Sequence, residues 1–117
     1  MPERVAVIGA GPAGSVTAFR LAQAGVPVDL IDSAAFPREK ACGDLLGSQT
    51  VETLVDLGLG HTLGEGHRIE GERFFDDADW CVRETRLGAA TSTYPVALPR
   101  LDLDAALREA AGRAGAG

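Results

Sequence analysis

The sequence predicts a parallel α/β fold, and three features carry that prediction. Arg4 to Ile8 (RVAVI) is a short β-branched run suited to a buried strand of a parallel sheet. A glycine turn, Gly9-Ala10-Gly11-Pro12-Ala13-Gly14, follows at once and leads into a helical pattern from Ser15 to Ala24. Val26, Val28 and Leu30 then alternate along a second strand that ends at Asp32. Strand, glycine turn, helix, strand and acid in this order make a Rossmann-like βαβ unit of the FAD/NAD(P)-binding kind over residues 4–32.

In the first helix Ala18, Leu21 and Ala22 recur on one face, Val16 and Phe19 form a second apolar patch, and Gly25 stands as the stop. Residues 33–117 read as an insertion of different character. Ser33 to Gly43, with its proline and mixed charges, is expected to be a loop. Leu45 to Leu57 looks helical, with Leu46, Val51, Leu54, Val55 and Leu57 apolar and Gly58 closing it. After a glycine-rich irregular stretch to Gly66, Arg68–Phe75 and Trp80–Arg86 are expected to form a small hairpin around Asp76-Asp77, with Trp80 on its buried face. Leu103 to Ala114 is a last helix capped by Asp102, with Leu103, Ala106, Leu107, Ala110 and Ala111 on one face.

Composition narrows the function classes. At 117 residues there is room for one modest core. A net charge of −6 with no basic patch disfavours nucleic acid as a partner. No apolar run reaches the ~20 residues of a membrane span, and the glycines and Pro12 argue against a signal-peptide core at Val5–Ala18, so a cytoplasmic location is expected. Cys42 and Cys81 have neither CxxC nor metal-type spacing and read as free thiols of a reducing compartment. His61 and His67 lack a third ligand at metal spacing, so no metal is expected.

The glycine turn carries the chemistry. Gly9 permits the tight exit from the strand, Gly11 lets a pyrophosphate approach the backbone, and Gly14 allows close packing of helix on strand. Pro12 and Ala13 open a helix whose unpaired N–H groups and partial positive charge suit phosphate, and Pro12 loses nothing by lacking an N–H there. Asp32, eighteen residues after Gly14, stands where a carboxylate accepts hydrogen bonds from ribose hydroxyls and repels a 2′-phosphate. The glycine fingerprint alone does not separate FAD from NAD.

Two later segments do separate them. Phe36-Pro37-Arg38-Glu39-Lys40-Ala41-Cys42-Gly43 resembles the FPRxKxCG segment of FAD-dependent oxidoreductases of the geranylgeranyl reductase type, whose superfamily also holds flavin monooxygenases. Pro99 to Leu107 is similar to that family's R-x-x-L/F-D-x-x-L segment. The resemblance implies an extended FAD with its adenine end at Asp32, Arg38 near the pyrophosphate or ribityl chain, and Arg100 toward the flavin. It also implies a small-molecule substrate, isoprenoid-like or aromatic, and NAD(P)H as a possible electron donor. A guanidinium suits both arginine roles because it donates paired hydrogen bonds to phosphate or carbonyl oxygens.

No catalytic residue is assigned. Cys42 has no histidine nearby to activate it, and a small buried residue beside the flavin accounts for it equally well. The family's later Gly-Asp-Gly segment and substrate-binding sheet are absent, and the parallel strand that should follow the last helix is missing. The βαβ fold is therefore expected to be incomplete, the N-terminal FAD-binding part of an oxidoreductase. A truncated non-catalytic remnant and part of an NAD-dependent dehydrogenase are the alternatives.

Overall fold

The computed structural model describes residues 3–87 and 93–117, so the part of the insertion at residues 88–92 lies outside the description. The chain divides into two compact units, one formed by the residues up to Cys42 together with Arg100–Gly117, the other by Gly43–Pro99.

The first unit is the βαβ element with a second helix beside the first. Strand β1 (Val5–Ile8) pairs in parallel with β2 (Val28–Ile31), in the register Val5↔Val28 to Ile8↔Ile31. Helix α1 (Pro12–Gln23) connects them. It begins three residues before the helical pattern in the sequence does, with Pro12 in the first turn, where proline's fixed φ suits helix entry. Helix α3 (Arg100–Ala114) packs against α1. Ala18 and Phe19 of α1 and Leu103, Leu107, Ala110 and Ala111 of α3 are buried, while Ala106 is only partly so. Full burial of a leucine such as Leu107 is worth about 1.5–3 kcal/mol. The alanines Ala18 and Ala111 present little bulk where the helices meet.

Two expectations about this unit change. Strand β1 is not buried on both faces, because Ala6 and Ile8 lie on an exposed side and Ile8 keeps 75% of its surface. Asp102 is not the N-cap of the last helix, because that helix starts at Arg100 and leaves Asp102 in its first turn. An ion pair from Arg100 to Asp104 one turn on holds the earlier start in place, and Asp102 still favours the positive end of the helix. At the other end Gly117 pairs with the outer edge of β2, donating from its N–H to the Val28 carbonyl (2.8 Å) and accepting from the Leu30 N–H (2.9 Å).

The second unit is built around a small antiparallel sheet that the sequence pattern does not reveal. Its strands are β3 (Leu45–Leu46), β4 (His67–Arg68) and β7 (Val96–Ala97), in the order β3-β7-β4. Helix α2 (Ser48–Asp56) follows β3 directly, so the helix expected from Leu45 is shorter than its apolar pattern. The pairing of Leu45 and Leu46 with Ala97 and Val96 draws those two residues into the sheet, and extended Gly47 separates strand from helix. A 3₁₀ turn at Gly60–Leu63 fills part of the irregular stretch. Among the described residues of this unit the buried apolar ones are Leu46, Val51, Leu54, Leu59, Val96 and Leu98.

The expected hairpin is present as β5 (Gly71–Phe75) and β6 (Cys81–Arg86), antiparallel with a bulge at Phe74/Phe75. Asp76 organises its turn, its Oδ1 accepting from the N–H groups of Ala78 and Trp80, each at 2.9 Å. Trp80 does not lie on a buried face: it is 72% exposed, because both hairpin strands are open to solvent.

The contact that fixes α1 against β1 is between backbones. A Cβ on Gly14 would stand 1.7 Å from the Gly9 carbonyl oxygen, a distance no side-chain adjustment relieves. A Cβ on Gly11 would meet only arginine side-chain tips at 3.7 Å and beyond, and Gly11 has an ordinary φ of −70°. Gly14→Ala should therefore destabilise the protein by about 3 kcal/mol or more, at or above the usual range for overpacking. Gly11→Ala should be neutral or stabilising by up to about 1 kcal/mol. Thermal melts of the two variants check this, and equal melting temperatures would contradict it.

Candidate dinucleotide-binding site

Every site residue singled out in the sequence lies in the first unit. Gly9 leaves β1 with a φ of +101°, a conformation few side chains tolerate. Its N–H donates to the Ile31 carbonyl at 2.6 Å, which ties the turn to the end of β2. The next N–H, that of Ala10, donates to Asp32 Oδ2 at 2.9 Å, and Asp32 Oδ1 accepts from the Ala34 N–H at 2.9 Å. Asp32 thus braces the turn, and each carboxylate oxygen keeps a lone pair for a further donor. Ser15 adds a brace the sequence reading missed: its buried hydroxyl donates to the Ala10 carbonyl at 3.0 Å.

Helix α1 has no side-chain cap. Its first intrahelical bond runs from the Ser15 N–H to the Gly11 carbonyl, so the N–H groups of Ala13 and Gly14 have no partner within the helix. Pro12 has no N–H to leave unpaired. The result is a short row of donors at the positive end of the helix, a setting that favours an anion.

Arg38 and Arg100, 62 residues apart in the sequence, converge on this end. The Cβ position of Gly11 lies 3.7 Å from Arg38 Nη2 and 3.9 Å from Arg100 Nη2. What brings them together is Asp104, which is fully buried. Arg38 Nη1 donates to Asp104 Oδ2 at 2.7 Å, while Arg100 Nε and Nη2 donate to Oδ1 and Oδ2 at 2.7 and 2.9 Å. Arg38 also lies over the Phe36 ring, 4.6 Å from its centroid. The hydrogen bonds to Asp104 push the Arg100 pKa up, partial burial opposes them, and a hydrogen bond with the Cys42 thiol adds to the rise. Arg100 stays a cation throughout the working pH range.

Asp104 is the functional candidate that sequence reasoning passed over, though it occupies the acidic position of the R-x-x-L/F-D-x-x-L segment. The available signal was its spacing: an acid one turn after Arg100, on the same face as Leu103 and Leu107, which marks a charge turned toward the core. Breaking a buried pair by removing one partner costs about 3–5 kcal/mol. Cys42 also departs from its reading as a buried residue, since it is exposed and partnered by Arg100.

The arrangement meets the requirements of a dinucleotide. Within 4 Å of the Gly11 Cβ position, apart from its chain neighbours, lie only the tips of two guanidiniums. Two arginines against one aspartate leave a net positive charge beside a helix N-terminus, which suits a pyrophosphate. The acid at the end of β2 suits ribose hydroxyls. By fold and site the protein is a Rossmann-type dinucleotide-binding protein.

Comparison with known proteins sharpens that class. The family described as FAD binding domain matches residues 3–117, and this chain belongs to it. Its cofactor is FAD, which the glycine fingerprint alone left open. A menaquinone reductase of Mycobacterium tuberculosis is 41% identical over 117 residues, covering 96% of this chain and 27% of that protein. The fold is also that of p-nitrophenol 4-monooxygenase from Pseudomonas putida, with a TM-score of 0.82, 18% identity and coverage of 98% and 30% of the two chains. A geranylgeranyl bacteriochlorophyll reductase-like protein from Thermoplasma acidophilum gives a TM-score of 0.76 at 22% identity, covering 99% and 30%. The chain spans about a quarter of the length of the curated relative. Among the described residues no helix is long and apolar enough to cross a membrane.

The Asp32 carboxylate makes a pH prediction. Its hydrogen bonds from the Ala34 and then the Ala10 N–H hold its pKa below the ordinary 3.8, with Arg38 and Lys40 adding to the effect. A depressed native pKa means that the stabilisation is present above the unfolded value and is lost as pH falls through the native one. The Ala10 and Ala34 amide resonances should therefore titrate together with a midpoint below 3.8. A midpoint at or above that value would contradict the bracing role.

Proposed function

We propose that this chain forms the ADP-holding part of a flavin-dependent oxidoreductase, with the pyrophosphate of FAD at the start of α1. In this reading Gly9 and Gly14 shape the turn, and Gly11 leaves room for the pyrophosphate. Ala13 and Gly14 donate their N–H groups to it, and Pro12 directs the helix entry. Asp32 accepts from the adenosine ribose hydroxyls. Arg38 binds the pyrophosphate or ribityl chain, and Arg100, whose Nη2 also lies by the Gly11 position, binds the pyrophosphate from its flavin side. The observation that carries the reading is the convergence of two guanidiniums on the Gly11 position at the helix N-terminus.

When bound, FAD supplies the redox chemistry. The chain's own contribution is binding and orientation: a positive phosphate end, a negative ribose end, and a rigid turn between them. The polarity orders the dinucleotide along the site and disfavours a 2′-phosphate beside Asp32.

For the reaction, reduction is favoured over oxygenation. The relative at 41% identity is named a menaquinone reductase, whereas the monooxygenase likeness, at 18% identity, bears on the fold alone. The proposed substrate is an isoprenoid-like or aromatic small molecule, with NAD(P)H as the electron donor. A cytoplasmic location belongs to the same proposal and is supported by two exposed cysteines that form no disulfide, which suits a reducing compartment.

Flavin fluorescence quenching on the purified protein tests the assignment. Gly11→Val should weaken FAD at least tenfold, which is about 1.4 kcal/mol, while the melting temperature of the unliganded protein stays within a few degrees. Unchanged affinity would refute the pyrophosphate site. Asp32→Asn should weaken FAD only severalfold and raise the relative affinity for 2′-phosphorylated adenine nucleotides. If variant and original reject the 2′-phosphate equally, the ribose role is wrong.

A further inference from the structure

We propose that Asp104 is a positioning residue of the dinucleotide site, one that aims Arg38 and Arg100 at the pyrophosphate without touching the ligand itself. The inference rests on the pyrophosphate reading above and goes beyond it by assigning a role to a buried acid.

Asp104 has no exposed surface, and both its oxygens are committed to guanidinium donors within 2.9 Å. Its partners come from different parts of the chain. Arg38 lies on the loop after β2, and Arg100 opens α3. Long arginine side chains lose much rotamer freedom when a ligand fixes them, so a site that orders them beforehand binds more tightly. Asp104 provides that order. Its grip on Arg100 is bidentate, through Nε and Nη2, which fixes the guanidinium plane as well as its place. It holds Arg38 by Nη1, leaving Nη2 on the Gly11 side.

The acid sets charge as well as geometry. Two arginines alone repel one another at this separation, and one shared carboxylate makes their convergence tolerable while keeping the site positive. If Asp104 only contributed stability, its loss would weaken every part of the nucleotide site alike. A positioning role confines the loss to the phosphate-binding part.

The test compares ADP with adenosine. Both engage Asp32, but only ADP carries the pyrophosphate. Binding of each to the purified protein and to its Asp104→Asn variant is measured by calorimetry, with FAD binding followed by fluorescence quenching. The expected result is that the ADP-to-adenosine affinity ratio and the FAD affinity both fall at least tenfold, while adenosine affinity changes less than twofold. An unchanged ratio overturns the inference, whether both ligands weaken or neither does. An unsubstituted protein that holds ADP no tighter than adenosine overturns the pyrophosphate reading and this inference with it. A clear ADP preference that survives Asp104→Asn overturns this inference alone.

Should Asp104→Asn fail to fold, nitrogen-detected NMR of the arginine side chains in the unsubstituted protein decides the matter. Arg38 and Arg100 should show hindered guanidinium rotation before any ligand is added, and should shift with ADP but not with adenosine. Freely rotating guanidiniums in the unliganded protein, or equal shifts with both ligands, overturn it.

Discussion

The contact between the Gly9 carbonyl and the backbone of Gly14 governs the rest of the site. Only hydrogen atoms fit where a Cβ on Gly14 would lie 1.7 Å from that oxygen. This closeness seats the first turn of α1 directly over the end of β1. The helix N-terminus, its unpaired N–H groups and the open side of Gly11 all take their places from it. The cross-links that Asp32 and Ser15 make to Ala10 brace the same turn from the strand side and the helix side. A turn held from three directions needs little reorganisation when a ligand arrives, and reorganisation is a cost that binding would otherwise carry.

Electrostatics divides the site into two ends. The end proposed for phosphate combines the helix N-terminus with two arginines that share one buried carboxylate. The end proposed for ribose is the Asp32 carboxylate, kept ionised by main-chain donors. Such a polarity suits a molecule with a doubly charged pyrophosphate and a neutral diol a few ångströms away. Helix α3 enters this scheme through packing. Leu103, Leu107, Ala110 and Ala111 bury one face of the helix, and Asp104 is carried into the interior on the turn between Leu103 and Leu107. The core and the site are thus set by one helix, and the arginine at its first residue is positioned by the packing of the leucines after it.

The βαβ unit was legible because its signals are local. β-branched strand residues, three glycines at fixed spacing, Pro12 at the helix start and Asp32 at the strand end each report a short-range constraint. The three-stranded sheet of the second unit was not legible, since Leu45–Leu46, His67–Arg68 and Val96–Ala97 are two-residue strands whose pairing depends on partners distant in sequence. That pairing also shortened α2, because Leu45 and Leu46, the first apolar residues of the expected helix, belong to the strand. Trp80 misled for the opposite reason: large apolar residues are usually buried, yet this one sits on a hairpin open to solvent. Within the site, Arg38 and Arg100 entered by resemblance, while the only sequence signal for Asp104 was its one-turn spacing from Arg100 on the face of Leu103 and Leu107.

The central claim is that a pyrophosphate sits at the start of α1, between the turn and the two arginines held by Asp104. A crystal structure of the protein with ADP bound tests it most directly. The account predicts phosphate oxygens within about 3 Å of the Ala13 N–H and of at least one of the Arg38 and Arg100 guanidiniums, with the ribose hydroxyls on Asp32. An ADP whose phosphates point away from α1, or one bound elsewhere on the protein, would contradict it.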